Sequence, residues 1–92
     1  MIVSKQEFLD HSGVHAQMLE FWIEQRWLIP QESPEGARFS ERDIARARLI
    51  QDLKGDMGVN DEGVDAILHL IDQLHGLRGA LAQVREIQRG SV

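Results

Sequence analysis

Leu19-Glu20-Phe21-Trp22-Ile23-Glu24-Gln25-Arg26-Trp27-Leu28-Ile29-Pro30 is the stretch from which the rest of the chain is understood. With Val14 and Met18 just before it, the apolar residues Leu19, Trp22 and Ile23 keep one stripe at offsets of 4, 1, 3 and 1, the spacing of a single helical face. That stripe predicts a helix ending near Arg26 or Trp27, because Pro30 forbids much further extension. Upstream, Ser4-Lys5-Gln6-Glu7 has the form of a capping box: the serine hydroxyl accepts from a first-turn amide while the glutamate reaches back. It predicts a short helix from Lys5 to about His11 that turns Phe8 and Leu9 inward. Ser12-Gly13 stops it, since glycine takes positive φ without cost. Two helices joined by a tight glycine-containing turn make a helix-turn-helix.

Downstream, Pro30 to Phe39 holds both prolines and the run Pro34-Glu35-Gly36, which predicts a loop or a small two-strand wing. Ser40, with Glu41 and Asp43 near the positive helix end, starts a third helix. Its stripe is Ile44, Ala47, Leu49 or Ile50, and Leu53, and Gly55 and Gly58 loosen its end. Asn60 is a good N-cap for the last segment, with Asp61, Glu62 and Asp65 in or near the first turn. No proline follows, so a helix of ~25–28 residues could extend ~40 Å from there to about Gln88. Ile67, Leu70, Leu74, Leu77, Leu81 and Val84 alternate by 3 and 4, the pattern of a helix seeking a partner helix. Val64, Leu68 and Ile71 form a second stripe on the first half alone. The expected arrangement buries that half on the preceding helices and leaves Leu70, Leu74, Leu77, Leu81 and Val84 as a seam for a second protomer. Gly76 and Gly79 each cost about 1 kcal/mol against alanine and mark a bend or a close approach. The expected organisation is a helix-turn-helix head over residues 1–58 and a long helix with its tail over residues 59–92, within one domain.

The chain has 92 residues, 42% of them hydrophobic and 27% charged. This is a globular composition, and a chain so short buries only ~60–65% of its unfolded surface, which favours self-association. Fifteen acidic residues against ten Lys and Arg leave a net charge of −5. Proteins that grip phosphate backbones normally carry a basic excess, whereas an acidic surface steers toward a basic protein partner. No apolar run approaches the ~18–20 residues of a membrane span. Met1-Ile2-Val3-Ser4-Lys5 lacks the basic-then-apolar order of a secretion signal, so the expected location is the cytoplasm.

Catalytic and metal chemistry find little support. There is no cysteine, which removes disulfides, thiolate metal sites and cysteine nucleophiles. His11 and His15 are separated by the Ser12-Gly13 break, and His69 and His75 point in different directions on the last helix. Neither a nucleophile elbow, a glycine-rich phosphate cradle nor an HExxH motif occurs. The expectation is a non-enzyme without metal or cofactor. Trp22 follows the apolar stripe into the core, while Trp27 is balanced between the core and a partly exposed contact.

The order of these pieces resembles the MerR-type winged helix-turn-helix. Leu19 to Pro30, then Gly36-Ala37-Arg38-Phe39-Ser40-Glu41-Arg42-Asp43, the following helix and a long last helix carry the likeness over nearly the whole chain. The fold it implies is mainly α, a winged helix-turn-helix with a long C-terminal dimerisation helix. Asn60 to Leu74, leading into Leu77-Arg78-Gly79-Ala80-Leu81, together with the small size and acidic balance, resembles the CbpM-type chaperone modulators within that fold. This resemblance implies binding to the J-domain of a CbpA- or DnaJ-like co-chaperone and inhibition of its action on the Hsp70 chaperone, with the protein as a homodimer.

Where the MerR pattern has an arginine after the leucine of the second helix, this chain has Glu20, and Glu24 follows one turn later. Carboxylates repel phosphate oxygens even in screened water. J-domains commonly expose a basic helix, so Glu20, Glu24, Asp56, Asp61, Glu62, Asp65 and Asp72 are the candidate partner-binding residues. Helix caps and solvated faces account for most of them individually. The rival reading is a MerR-like DNA-binding transcriptional regulator using Arg38, Arg42 and Arg46, with Arg48 nearby. Against it, residues 1–58 hold 7 Lys and Arg and 10 Asp and Glu, and those arginines have Glu35, Glu41, Asp43 and Asp52 as neighbours to pair with.

Overall fold

Two serine-led capping boxes each start a helix directly after a strand. In the computed structural model, which describes residues 2–90, Ser4 caps helix α1 (Lys5–Ser12). The Glu7 amide donates to Ser4 Oγ, and the Ser4 amide donates to Glu7 Oε1, both at 3.2 Å. Ser40 does the same for α3 (Glu41–Gln51) with Asp43; the Ser40 amide donates to Asp43 Oδ2 at 2.9 Å. Both pairs satisfy first-turn donors that would otherwise lack partners.

Helix α1 ends at Gly13, whose φ of 74° is left-handed and whose N–H donates to Leu9 O at 3.0 Å. Helix α2 (Ala16–Glu24) begins two residues later than its apolar stripe predicts. Val14 is buried, but in the turn, where its amide donates to Ser12 Oγ. Met18, placed inward by the stripe, faces solvent on this shorter helix. Leu19 and Trp22 carry the buried face.

The wing is part of a three-stranded antiparallel sheet rather than a simple hairpin. Strands β2 (Gln31–Ser33) and β3 (Gly36–Ser40) form the hairpin, and β1 (Ile2–Ser4) pairs on the other side of β3, Val3 opposite Phe39. At the turn, Gly36 has a φ of 114° and its carbonyl accepts from Ser33 Oγ at 2.7 Å. Strand alternation sends Phe39 inward, where its ring stacks on Phe8 with centroids 4.5 Å apart. Phe8, Leu19, Leu28, Phe39 and Ile50 are sealed from solvent, each contributing about 1.5–3 kcal/mol through burial.

Helix α3 buries Ala47 and Ile50 and passes into a π-helical turn over Asp52–Asp56 that buries Leu53. The Gln51 side-chain amide donates back to the carbonyl of Ser12 at 3.3 Å, fixing α3 against the helix-turn-helix bend.

The chain divides after Asn60 into two compact units. The second consists of α4 (Asp61–Gly90), about 45 Å of continuous helix. It is uninterrupted at Gly76 and Gly79, where an added Cβ would meet nothing within 4 Å. Neither glycine therefore serves a close approach within this chain. Val64 and Leu68 are buried, while Leu70, Leu74, Leu77, Leu81 and Val84 are all about half exposed or more. Among the described residues, no helix is long and apolar enough to cross a membrane.

Candidate functional site

Helix α2 presents Gln17, Glu20 and Glu24 to solvent and contains no lysine or arginine. Glu20 is not a bare carboxylate: Lys5, the first residue of α1, forms an ion pair with its Oε1. The two side chains are about half exposed, so the pair ties α1 to α2 with little energy, on the order of 0–1 kcal/mol. Glu24, the last residue of the helix, is exposed beside it.

The C-terminal end of α2 is a Schellman turn. The Trp27 amide donates to Trp22 O at 2.9 Å, and the Arg26 amide donates to Ile23 O at 3.1 Å. Phe21 meets the Trp27 ring edge-on, with centroids 5.6 Å apart, the apolar contact that accompanies this motif. Its left-handed position is held by Arg26 at φ 62°, which costs roughly 1 kcal/mol against glycine. Trp27 is buried to 2% exposure, so the exposed-contact option for it falls: the turn folds it back over the helix. Trp22 is equally buried, and its indole N–H has no acceptor among the described residues.

Trp27 also organises the cations around it. Arg46 donates its Nε–H to the Trp27 carbonyl, and Lys54 Nζ lies 5.9 Å from the ring centroid, a cation–π distance. Arg46 is half-buried and spent on this contact, which removes it from the arginines that sequence spacing offered to a duplex. Arg38 is held by Glu35, Nη2 to Oε2 at 2.7 Å. Arg42 and Arg48 are exposed. On the outer side of the sheet, Arg38 and Arg42 line an open cleft of ≈ 380 Å³ with Ile2, Ile29 and Pro30. Asp43 also reaches it, its carboxylate engaged by Ser40. Nearby Glu7 is held below the usual carboxylate range, chiefly by the Ser4 amide, then by the Ser4 hydroxyl, with a smaller contribution from Arg38.

The other acidic candidates lie elsewhere. Asp56 is exposed at the end of the π-helical turn, and Asp61, Glu62, Asp65 and Asp72 are exposed on α4. Helical geometry sets Asp61, Asp65 and Asp72 within about 40° of one another, with Glu62 turned away. Glu20 and Glu24 are thus one group, on the head, and the α4 carboxylates another. The sequence singles out none of Lys5, Gln51 and Lys54, and it offers Arg46 to a duplex rather than to the Trp27 carbonyl. Their partners lie 15 to 39 residues away, beyond any periodic signal.

The family model for MerR helix-turn-helix regulatory proteins matches residues 3–86. The chain belongs to the MerR helix-turn-helix family. A heat shock protein of Streptomyces coelicolor named HspR is 32% identical over 74 residues, which are 79% of this chain and 49% of that protein. The chain thus spans about half the length of that relative. Among solved structures, the MerR-family regulator HiNmlR, which lacks the sensor domain and was crystallised bound to promoter DNA, superposes with a TM-score of 0.68. The match covers 97% of this chain and 77% of that one at 18% identity, and it shows that the fold is the MerR-type winged helix-turn-helix with its long last helix. The family likeness stands at the MerR level; none of these matches is a CbpM-type modulator.

Proposed function

We propose that this MerR-family chain is a non-catalytic, dimeric regulator whose winged head binds DNA to control transcription, in connection with heat shock. The observation that carries this reading is the assembled head itself: α1, the Gly13 turn, α2 and a three-stranded wing, in a family of regulatory proteins. The HspR and HiNmlR likenesses support the heat-shock and promoter elements of the reading. The half-exposed seam from Leu70 to Val84 supports the dimer, since monomers rarely leave so continuous an apolar stripe in water. Arg42 and Arg48 are exposed and Arg38 is half-buried at the wing, and these cations of the wing and α3 are within reach of phosphates. The test is fluorescence anisotropy on the duplex upstream of the chain's own gene. Binding that weakens steeply between about 50 and 200 mM salt supports the reading; absence of binding at low salt rejects it.

A second reading has a specific observation behind it. An α2 with Glu20 and Glu24 and no cation is poorly made for a phosphate backbone and well made for a basic polypeptide. On this reading the chain is a cytoplasmic chaperone modulator that occupies the J-domain of a CbpA- or DnaJ-like co-chaperone through Glu20, Glu24, Asp56, Asp61, Glu62, Asp65 and Asp72. Occupying the surface that Hsp70 needs would make the inhibition competitive. Titration into an Hsp70 ATPase assay driven by such a co-chaperone separates the readings. Unchanged stimulation, with no J-domain complex, eliminates this one.

A further inference from the structure

We propose that Arg26 is a phosphate-binding residue of the head, retained for its side chain against the preference of the turn it occupies. The inference rests on the DNA-binding reading and extends it to a residue outside the wing.

Three observations converge on Arg26. It fills the left-handed position of the Schellman turn at φ 62°, where glycine or asparagine is the natural occupant. No other described residue besides glycine has positive φ, and Gly13, Gly36 and Gly58 fill the remaining positions of that kind. The turn itself is complete without the arginine side chain: its backbone bonds join residues 22, 23, 26 and 27, and its apolar contact is between Phe21 and Trp27. The guanidinium is exposed and has no hydrogen bond or ion pair among the described residues. Residues that oppose a local backbone rule with no structural return concentrate at functional positions.

The chemistry at this corner selects an anion. Helix α2 contributes two carboxylates and no cation, so Arg26 is the positive group nearest along the chain to its exposed face. A guanidinium presents a planar fork of donors that matches a phosphate in bidentate fashion. One structural explanation competes: a cation near a helix C-terminus complements the helix dipole. Lysine at the same position keeps that effect and the backbone strain while losing the fork, so the two explanations can be separated.

The test compares wild type, Arg26→Gly and Arg26→Lys by thermal unfolding and by anisotropy on the upstream duplex across a salt series. Arg26→Gly is expected to unfold a few degrees higher than wild type. Its DNA affinity should fall about tenfold, and its salt dependence should lose about one phosphate contact. Arg26→Lys should unfold like wild type, bind between the two, and keep the wild-type salt slope. Wild-type affinity in Arg26→Gly overturns the proposal while leaving the DNA-binding reading intact. A lower unfolding temperature in Arg26→Gly also overturns it, because the arginine then serves the turn. Absence of DNA binding by the wild type removes the reading and the proposal together.

Discussion

The side-chain amide of Gln51 donates to the carbonyl oxygen of Ser12 at 3.3 Å across 39 positions of sequence. It joins the end of α3 to the bend between α1 and α2, and the bend sets how α2 is presented. Gln51→Ala leaves a part-buried carbonyl without its donor, a loss of about 0.5–1.5 kcal/mol. For a chain of this size, that lowers the unfolding temperature by a few degrees. Urea titration with an unchanged slope would assign the loss to the native contact.

The Phe8–Phe39 stack fastens α1 to the wing. Both rings are sealed from solvent, and truncating either leaves a cavity where two elements meet. Phe39→Ala should cost about 3–5 kcal/mol, and Phe8→Leu distinctly less because volume is retained. Chemical denaturation of the two variants side by side checks both the size and the order of these losses.

Glu7 links stability to pH. The Ser4 amide and hydroxyl hold its carboxylate below the usual range in the folded chain. In the unfolded chain the carboxyl takes up its proton at higher pH, near its ordinary value of 4.5. Its contribution is therefore fully present above that value and disappears as pH falls through the depressed folded value. Glu7→Gln should be less stable than wild type at neutral pH, and the gap should close toward acid. Urea midpoints measured from pH 7 down to about pH 3 would show the two curves converging.

The α4 seam makes a prediction about assembly. Leu74 and Leu77 stand on one face with Leu70, Leu81 and Val84, all at least 46% exposed in the single chain. A charge placed within a helix pair is poorly tolerated, so Leu77→Lys should convert a dimer to a monomer. Sedimentation velocity at micromolar concentration would show the shift. The circular dichroism of the head should be retained, because residue 77 lies outside the first unit.

Much of this architecture could be read from local signals. Ser4 with Glu7, and Ser40 with Asp43, announce the starts of α1 and α3, because a capping box is completed within four residues. Gly13 announces the bend for the same reason, and the 3-and-4 spacing of leucines announces α4. Strand β1 gave no such sign. Ile2-Val3-Ser4 is too short to show alternation, and its partner Phe39 lies far down the chain. The C-terminal end of α2 was hidden in a different way, since an arginine stands where glycine would have marked the left-handed turn. The sequence consequently leaves Trp27 balanced between the core and a partly exposed contact, and the turn buries it. The candidate site was legible as a charge inventory only. That Glu20 is engaged by Lys5, Arg38 by Glu35 and Arg46 by Trp27 depends on which elements fold together.

The pairing of Val3 with Phe39 has a temporal side. On the ribosome, β1 emerges before β3 and must wait for some 36 further residues before its neighbour in the sheet exists. At roughly 5–20 residues per second, that delay is on the order of seconds, long beside the sub-microsecond to microsecond timescale on which α1 can form. During this interval Phe8 has no ring to rest against. The nascent head is thus a half-built surface with an uncovered aromatic, and its completion is timed by the arrival of the wing.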